Sequence, residues 1–410
     1  QWFANPGEDY TIDQSCLFDG SSAYLSRTPA SASNRILWTQ SVWVKRCFLD
    51  AFGGAAAIRY QYLLNTNTGQ NDGSFFYASD TFEWIHDASQ LRETDQRLMD
   101  VAAWYHLVWT FDSAQASEPN RSKLWINGVE VTDWNQEAEI GEDATMEINN
   151  TVLHAIGRNE WDDTNYFNGY MAEYILIDGA ALTADSFGET NSTTGQWVPI
   201  DPSGLTFGTN GFWLDFADSS ALGNDVSGND NDWATNGLAA ADQVVDTPTD
   251  NFCTLNPLRP PNTNLTFSEG NLKVVSSSGF HTYQGTVQIP ATGKWYCEIE
   301  AGGTIHGTAN WDGTIGIGTA VADESPTGEA TNWQWGNART TVGGEKYNGS
   351  ATTLVPASSL TSGSIVMMAI DMDNSKIWWG VDGAWMGTAS GDNDGDPAAG
   401  SNPAFDNLSG

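Results

Sequence analysis

Two pairs of carboxylates stand close enough along the chain to suggest acid–base work: Glu173 with Asp178, and Glu298 with Glu300. A retaining glycosidase needs two carboxyl groups about 5–5.5 Å apart, flanking the bond to be cut. Glu173 and Asp178 are five positions apart, so strand alternation sends them to opposite sheet faces. Glu298 and Glu300 share a face, but no third carboxylate follows at matching spacing, and a solvated strand accounts for both. No Gly-x-Ser-x-Gly elbow and no phosphate-binding loop occurs in the chain. The sequence assembles no catalytic set, and the expectation is a protein that is not an enzyme.

Oxygen-rich loops raise the question of metal. Asp392-Asn393-Asp394-Gly395-Asp396 alternates oxygen ligands as calcium loops do, yet Pro397 and Pro403 stand where an EF-type loop needs Gly and Glu. A solvated turn is the reading there. The loop Asp218–Asp232 is a better calcium candidate, offering Asp218, Asn224, Asp225, Asn229 and Asp232 as hard oxygen donors. No cofactor is required, and Ca2+ alone stays open.

Aromatic residues among polar neighbours form the remaining candidate set: Trp134, Trp161 and Tyr166, then Trp311, Trp333 and Trp335. Flat rings pack against the C–H faces of pyranoses, while Asn and Asp read hydroxyls. Trp161 lies between Glu160 and Asp162-Asp163, and Trp333 and Trp335 sit in Asn-Trp-Gln-Trp-Gly-Asn, contexts that read as loops. Core or rim packing competes for each ring and accounts for most of the 19 Trp.

The elements that must position these groups are short and alternating. Ser21–Leu25, Ile36–Val44, Ser74–Tyr77, Thr81–His86, Trp104–Phe111 and Gly169–Asp178 read as strands. Lys123–Val131 places Asn127-Gly128 between two β-rich runs, the mark of a type I′ hairpin, and Lys376–Trp385 places Asp382-Gly383 likewise. Further strands are expected at Gly211–Phe216, Leu272–Ser276, Gly285–Ile289, Lys294–Glu300, Thr314–Thr319 and Ile365–Asp371. Apolar residues nowhere recur at helical spacing for more than about two turns. The fold class is all-β, two antiparallel sandwiches joined by an irregular Pro/Asn-rich linker.

Composition agrees. A chain of 410 residues exceeds the roughly 250–300 that one core spans, and 12% aromatic content supplies two interiors. The formal charge of −36 repels phosphate backbones and anionic lipid, so nucleic acid and membrane insertion are excluded as partners. No apolar run reaches the roughly 18 residues of a membrane helix. The start Gln1-Trp2-Phe3-Ala4-Asn5-Pro6 lacks the charged and apolar regions of a signal peptide. Cys16, Cys47, Cys253 and Cys297 form no CxxC pair; buried thiols are expected, with a Cys16–Cys47 bridge left open.

Two stretches resemble known families. Trp104-Tyr105-His106-Leu107-Val108, the Asn127-Gly128 hairpin, and Phe167-Asn168-Gly169-Tyr170-Met171-Ala172-Glu173 with Ile175, Ile177 and Ala181-Leu182 resemble a laminin-G-like, concanavalin A-type jelly roll over roughly residues 1–200. Such domains often bind calcium. Gly293-Lys294-Trp295-Tyr296-Cys297-Glu298, Ile315-Gly316-Ile317-Gly318, Lys346-Tyr347-Asn348-Gly349 and Ala369-Ile370-Asp371 leading to Ile377–Trp385 resemble a SPRY domain over roughly 265–410. Residues 201–264 fall between them as an extension strand and linker. SPRY domains continue with closing strands where Gly387–Gly410 is polar, with Phe405 its sole aromatic, so an interface or missing residues are expected there.

The order of these parts, with Tyr24–Ala30 near the start and Ser227–Trp233 between, is similar to large virion and tail-fibre proteins of marine bacteriophages. The resemblance implies a virion protein, a tail fibre or receptor-binding component that recognises a host-surface glycan or receptor. It would bind other virion proteins as a homo-oligomer, with a trimer the first expectation. A capsid-decorating protein and a glycan-cleaving enzyme are the alternatives.

Overall fold

Short runs of alternating polarity find partners rather than coil, and a computed structural model shows the result to be all-β. It describes residues 10–49, 60–66, 72–86, 90–160, 165–258, 264–277, 283–302, 314–318, 332–337, 344–347, 351–353, 362–387 and 393–408. Among them are single 3₁₀ turns but no α-helix, and so no helix long and apolar enough to cross a membrane. The chain divides into two units, residues 1–277 with 283–287, and residues 278–282 with 288–410.

The first unit begins with β1 (Ser15–Asp19), β2 (Tyr24–Arg27), β3 (Leu37–Arg46), β4 (Tyr60–Thr66), β5 (Gly73–Tyr77), β6 (Thr81–His86) and β7 (Gln90–Arg97). There follow β8 (Trp104–Asp112), β9 (Ser122–Ile126), β10 (Val129–Glu130), β11 (Trp134–Glu137), β12 (His154–Ile156) and β13 (Asn168–Asp178). It ends with β14 (Gly188–Thr190), β15 (Trp197–Pro199), β16 (Phe212–Leu214), β17 (Ala234–Asn236), β18 (Gln243–Val244), β19 (Leu265–Ser268) and β20 (Lys273–Ser276). One large antiparallel sheet runs β10–β9–β8–β3–β13–β1–β18, with β16 also on β13; the other runs β11–β7–β6–β5–β4–β12–β2–β17.

Alternate residues of the two sheets meet between them. Trp38, Val42, Trp109, Met171 and Leu176 of the first sheet share a core with Leu64, Phe76, Phe82 and Trp84 of the second. Trp84 stacks on Trp109 at 4.8 Å, and Trp109 meets Trp38 edge-on at 4.6 Å. Burial of each such ring contributes about 1.5–3 kcal/mol. The first sheet is buried on its other face too, where Trp43 and Tyr170 pack with Ile12, and Val108, Ile175 and Ile177 with Phe187 and Phe207. Burial on both faces is why β3 and β13 carry apolar residues at consecutive positions.

Residues 201–264 do more than link. β16 pairs with β13, β17 with β2 and β18 with β1, so this stretch completes both sheets of the first unit. The Gly285–Ile289 run, expected as a strand, makes only a single bridge from Gly285 to Leu255. The Cys16–Cys47 bridge is not formed: Cys16 lies in the core between the sheets and Cys47 in the cluster on the far side of the first sheet, both as free thiols.

Both expected hairpins have the left-handed backbone a type I′ turn demands, with φ of 50° and 78° at Asn127 and Gly128, and 49° and 86° at Asp382 and Gly383. A Cβ at Gly128 would drive into the Trp197 ring, whereas one at Gly383 meets nothing within 4 Å. Gly383→Ala is therefore expected to cost about 1 kcal/mol for its backbone alone. Gly128→Ala should cost clearly more, and urea unfolding of the two variants checks the ranking.

In the second unit, β21 (Lys294–Glu300), β22 (Thr314–Gly318), β23 (Asn332–Asn337), β24 (Gly344–Tyr347), β25 (Ala351–Thr353), β26 (Ile365–Asp371), β27 (Lys376–Val381) and β28 (Ala384–Trp385) form two sheets. Their orders are β21–β26–β27–β28 and β22–β23–β24–β25. Val366, Met368, Ile370, Ile377, Trp379 and Val381 make the core. The polar tail takes up the edge that the sequence leaves open. Ile377 donates its amide to Phe405 O at 3.0 Å, Ala404 donates back to Ile377 O at 2.9 Å, and Ala404 and Leu408 enter the core.

Candidate functional site

Phe82 and Trp84 point into the core of the first unit, so Glu83 points the other way. Strand register then sets Gln136, Glu93, Glu83, Phe75 and Tyr62 in one row across β11, β7, β6, β5 and β4. Beside it runs a row of short residues, Gly73, Asn65, Ala155 and Ser26, across β5, β4, β12 and β2. Long polar and aromatic groups thus stand beside a row of short residues on the outer face of the second sheet, a row that is itself buried at Gly73, Asn65 and Ala155.

The polar end centres on two acids. Glu93 Oε1 accepts from Thr81 at 2.9 Å and Ser79 at 3.2 Å, and Oε2 from Asn135 at 2.7 Å and Gln136 at 3.1 Å. Glu83, its register partner, is 3% exposed, and its Oε1 has no hydrogen-bond partner among the described residues. Burial, and then the charge of Glu93, pushes the Glu83 carboxyl up to about 8. Two acids in such different settings can divide acid from base roles. All the lone-pair directions of Glu93 are already used, however, which leaves no oxygen ready to attack.

Rings fill the middle of the face. Tyr62 packs on Phe75 at 4.7 Å, and Tyr60 lies 5.4 Å from Phe75 and 5.2 Å from Tyr77. Phe75 and Tyr62 are buried; Tyr60 and Tyr77 are partly open. At the far end the Arg158 guanidinium sits 3.7 Å over the Tyr24 ring, and Tyr166 meets Tyr24 edge-on at 6.3 Å. Burial pulls the Arg158 pKa down, but hydrogen bonds to Glu160 and Tyr166 outweigh it and hold it above the ordinary value. Glu160 is held in turn by its amide donating to Asn65 Oδ1 at 2.9 Å. Tyr24 and Tyr166 remain partly exposed, a corner of two rings around a fixed cation.

Of the six aromatic residues expected to contact ligand, only Tyr166 is shown at this corner. Trp134 is not in a loop: it lies in β11, packs on the core and sits 5.7 Å from the Arg92 guanidinium. Trp333 and Trp335 are likewise in a strand, β23, because Asn-Trp-Gln-Trp-Gly-Asn has the period of two that a strand needs. Their side chains, and Trp161 and Trp311 altogether, lie outside the described residues.

The two sequence-adjacent acid pairs do not build a site. A bulge between Ala172 and Ile175 gives Glu173 a φ of 47° and turns it away from the sandwich core, where Tyr10 Oη donates to it at 3.0 Å and Trp213 Nε1 donates as well. Asp178 instead accepts from the Asn34 amide at 3.1 Å and the Asn210 amide at 2.9 Å. Glu298 and Glu300 are exposed on β21.

The calcium candidates are taken up by hydrogen bonds within their loop and to the neighbouring 208–213 segment. Buried Asp225 accepts from the Trp213 and Ser227 amides at Oδ1 and from Ser227 Oγ and the Asn231 amide at Oδ2, each within 2.8–2.9 Å. Asp232 caps the Asp225 amide at 2.9 Å, and Asn229 donates to Gly208 O and Gly211 O. Asp218 folds back on Ser220, and Asn224 is exposed. Among the described residues no group of three His, Cys, Asp or Glu side chains is gathered for a metal. Asp225→Ala is expected to cost about 3 kcal/mol by stranding these donors. Asp218→Ala should leave the unfolding midpoint in place, and thermal denaturation of both variants distinguishes them.

Sequence reasoning missed Glu83, Glu93, Tyr24, Arg158 and Glu160. Alternation in Thr81–His86 could have exposed Glu83, since it falls between Phe82 and Trp84. No such signal marks β7, whose Gln-Leu-Arg-Glu-Thr-Asp-Gln-Arg holds one apolar residue.

No curated protein matches the chain. Among solved structures it is similar to a proposed carbohydrate-binding protein from Bacteroides ovatus, at 16% identity and TM-score 0.39, over 58% of this chain and 60% of that one. It is also similar to a heptameric pentraxin from Limulus polyphemus (13% identity, TM-score 0.32, 46% and 93% covered). A third likeness is to domains LG4-5 of the mouse laminin α1 chain (9%, 0.30, 94% and 80%). Residues 19–188 match the family model of the concanavalin A-like lectin/glucanases superfamily, and the unit that contains them is a jelly-roll-like sandwich of that fold class.

Proposed function

We propose that this chain is a non-catalytic glycan-binding protein whose first unit recognises sugar on the outer face of its second sheet. The observation that carries this is the placement of partly open rings, Tyr24, Tyr60, Tyr77 and Tyr166, on the same face as Glu83, Glu93, Asn135 and Gln136. Rings offer their faces to sugar C–H groups, and the exposed amides of Asn135 and Gln136, fixed by Glu93, read hydroxyls. The lectin-type family match over the same unit supports the reading. The resemblance to phage tail-fibre proteins supports a place on a virion, as a receptor-binding component repeated in a homo-oligomer. A sugar bound near 1 mM gives only about −4 kcal/mol, and repetition raises apparent affinity by about 10²–10⁴.

A glycan-cleaving enzyme is favoured by one observation, the register pairing of Glu83 with Glu93. The four donors on Glu93 and the closure of Glu83 argue against it. A glycan array with the whole chain, run with and without EDTA, tests binding and calcium together. Selective signal is expected, while an empty array would overturn the reading. Release of reducing ends from a bound polysaccharide would establish the enzyme instead. Antibody-labelled particles in negative stain place the protein on tail or capsid, and labelling of the capsid faces would reject the tail-fibre setting.

A further inference from the structure

The second unit carries a cleft of about 340 Å³ on the outward face of its β21–β26–β27–β28 sheet. Alternation decides what lines it. Trp295 and Cys297 pack against the core, so Lys294, Tyr296 and Glu298 face out. Register sets Tyr296 beside Ala369 and Lys294 beside Asp371, while Trp385 pairs with Gly380 two strands further on. Tyr296 and Trp385 face each other edge-on at 6.1 Å, with Ala369 as a low floor. Asp396 and Pro397 of the tail form the opposite wall, held by the Ala399 amide on Asp396 Oδ1 at 2.9 Å.

Tyr296 is 49% exposed in the middle of a strand, although its neighbour Trp378 in the same sheet is closed over, its indole donating to Ser401 O. Polar groups of both kinds ring the cleft. Lys294 brings an ammonium, 3.5 Å from Asp371, and Asp396 brings a carboxylate, while Asp371 adds its charge from beneath, 3% exposed and held at both oxygens by Asn374. A purely cationic ligand would meet Lys294 as a like charge, and an anionic one would meet the two acids. A neutral polyol, which both donates and accepts, suits the mixture, and the volume lies at the lower end of the about 300–1,000 Å³ of small-ligand pockets.

We infer that this cleft is a second carbohydrate subsite, taking one neutral pyranose ring against the edge-to-face pair of Tyr296 and Trp385, with Lys294 and Asp396 reading hydroxyls. The inference stands on the second unit alone and needs no sugar site in the first. Saturation-transfer NMR on the whole chain carrying Tyr24→Ala and Tyr166→Ala, which remove the rings of the proposed first-unit face, with methyl pyranosides of glucose, galactose, mannose and N-acetylglucosamine at millimolar concentration, tests it. Ring protons of at least one pyranoside should receive saturation. Tyr296→Ala and Trp385→Ala should each weaken that binding at least tenfold, while Tyr296→Phe leaves it largely intact. Trp385→Phe, which keeps a ring, guards against misfolding and should retain most of the binding. No transfer to any of the four sugars, transfer that survives both alanine variants, or preferential binding of choline chloride would each overturn the assignment.

Discussion

Asp246→Ala is expected to lower the unfolding free energy by about 3–5 kcal/mol, because it leaves a buried ammonium without its counter-charge. Lys45 is fully buried, and its Nζ donates to Asp246 Oδ2 at 2.7 Å, Asn251 Oδ1 at 2.8 Å and Phe252 O at 2.8 Å. Asp246 Oδ1 accepts in addition from Trp104 Nε1 at 3.0 Å and from the Phe252 amide at 3.3 Å. One carboxylate thus ties the segment that follows β18 to β3 and β8. The variant loses the ion pair and strands the indole as well, so equilibrium urea unfolding should show a large fall in midpoint. Lys45→Met combined with Asp246→Leu, which removes both charges, should recover much of the loss. A fall below about 1 kcal/mol in the single variant would mean that water reaches Lys45.

The pH dependence of stability should carry the mark of Glu83. Its carboxyl is raised in the folded protein from an ordinary 4.5 to about 8, with burial the larger cause and Glu93 the smaller. Between those values the folded state binds more protons than the unfolded state, so this group makes stability fall as pH rises. Its contribution is fully present below about 4.5 and fully lost above about 8. Glu173 acts in the same direction, pushed up to about 8 chiefly by burial despite hydrogen bonds from Tyr10 and Trp213. Glu83→Gln is expected to match the wild type at pH 5 and to melt at a higher temperature at pH 8.5. Adding Glu173→Gln should flatten the profile further. A wild-type curve flat from pH 5 to 8.5 would contradict the burial of both acids.

Much of the architecture was legible from alternation and turn chemistry. Thr81–His86, Lys294–Glu300 and Ile365–Asp371 appear at their expected bounds, and both Asn/Asp-Gly hairpins are type I′. What escaped was tertiary in origin. β4 and β13 contain bulges that shift the face a residue points to, which is how Glu173 came to lie among rings with a left-handed backbone. β7 and β11 are polar strands whose place is set by pairing to β6 and β7 rather than by any apolar period. β17 and β18 are three and two residues long, too short to show periodicity, and they stand in the sheets because earlier strands offer edges.

The candidate site divides the same way. Tyr166 could be named because a ring among polar neighbours is visible in one dimension, but Tyr24 reaches it only when β2 and the segment before β13 are folded together. Glu83 and Glu93 are ten positions apart in sequence and become partners through the β6–β7 register. Trp134, whose neighbours look like a loop, is drawn against the core by the pairing of β11 with β7.

Titration of an array-positive glycan into the wild type and into Tyr24→Ala and Tyr166→Ala tests the proposed sugar-binding face most directly, with unfolding midpoints measured alongside. The expected result is a dissociation constant at least tenfold higher in each variant, no release of reducing ends, and midpoints within a few degrees of the wild type. Unchanged affinity in both correctly folded variants would contradict it.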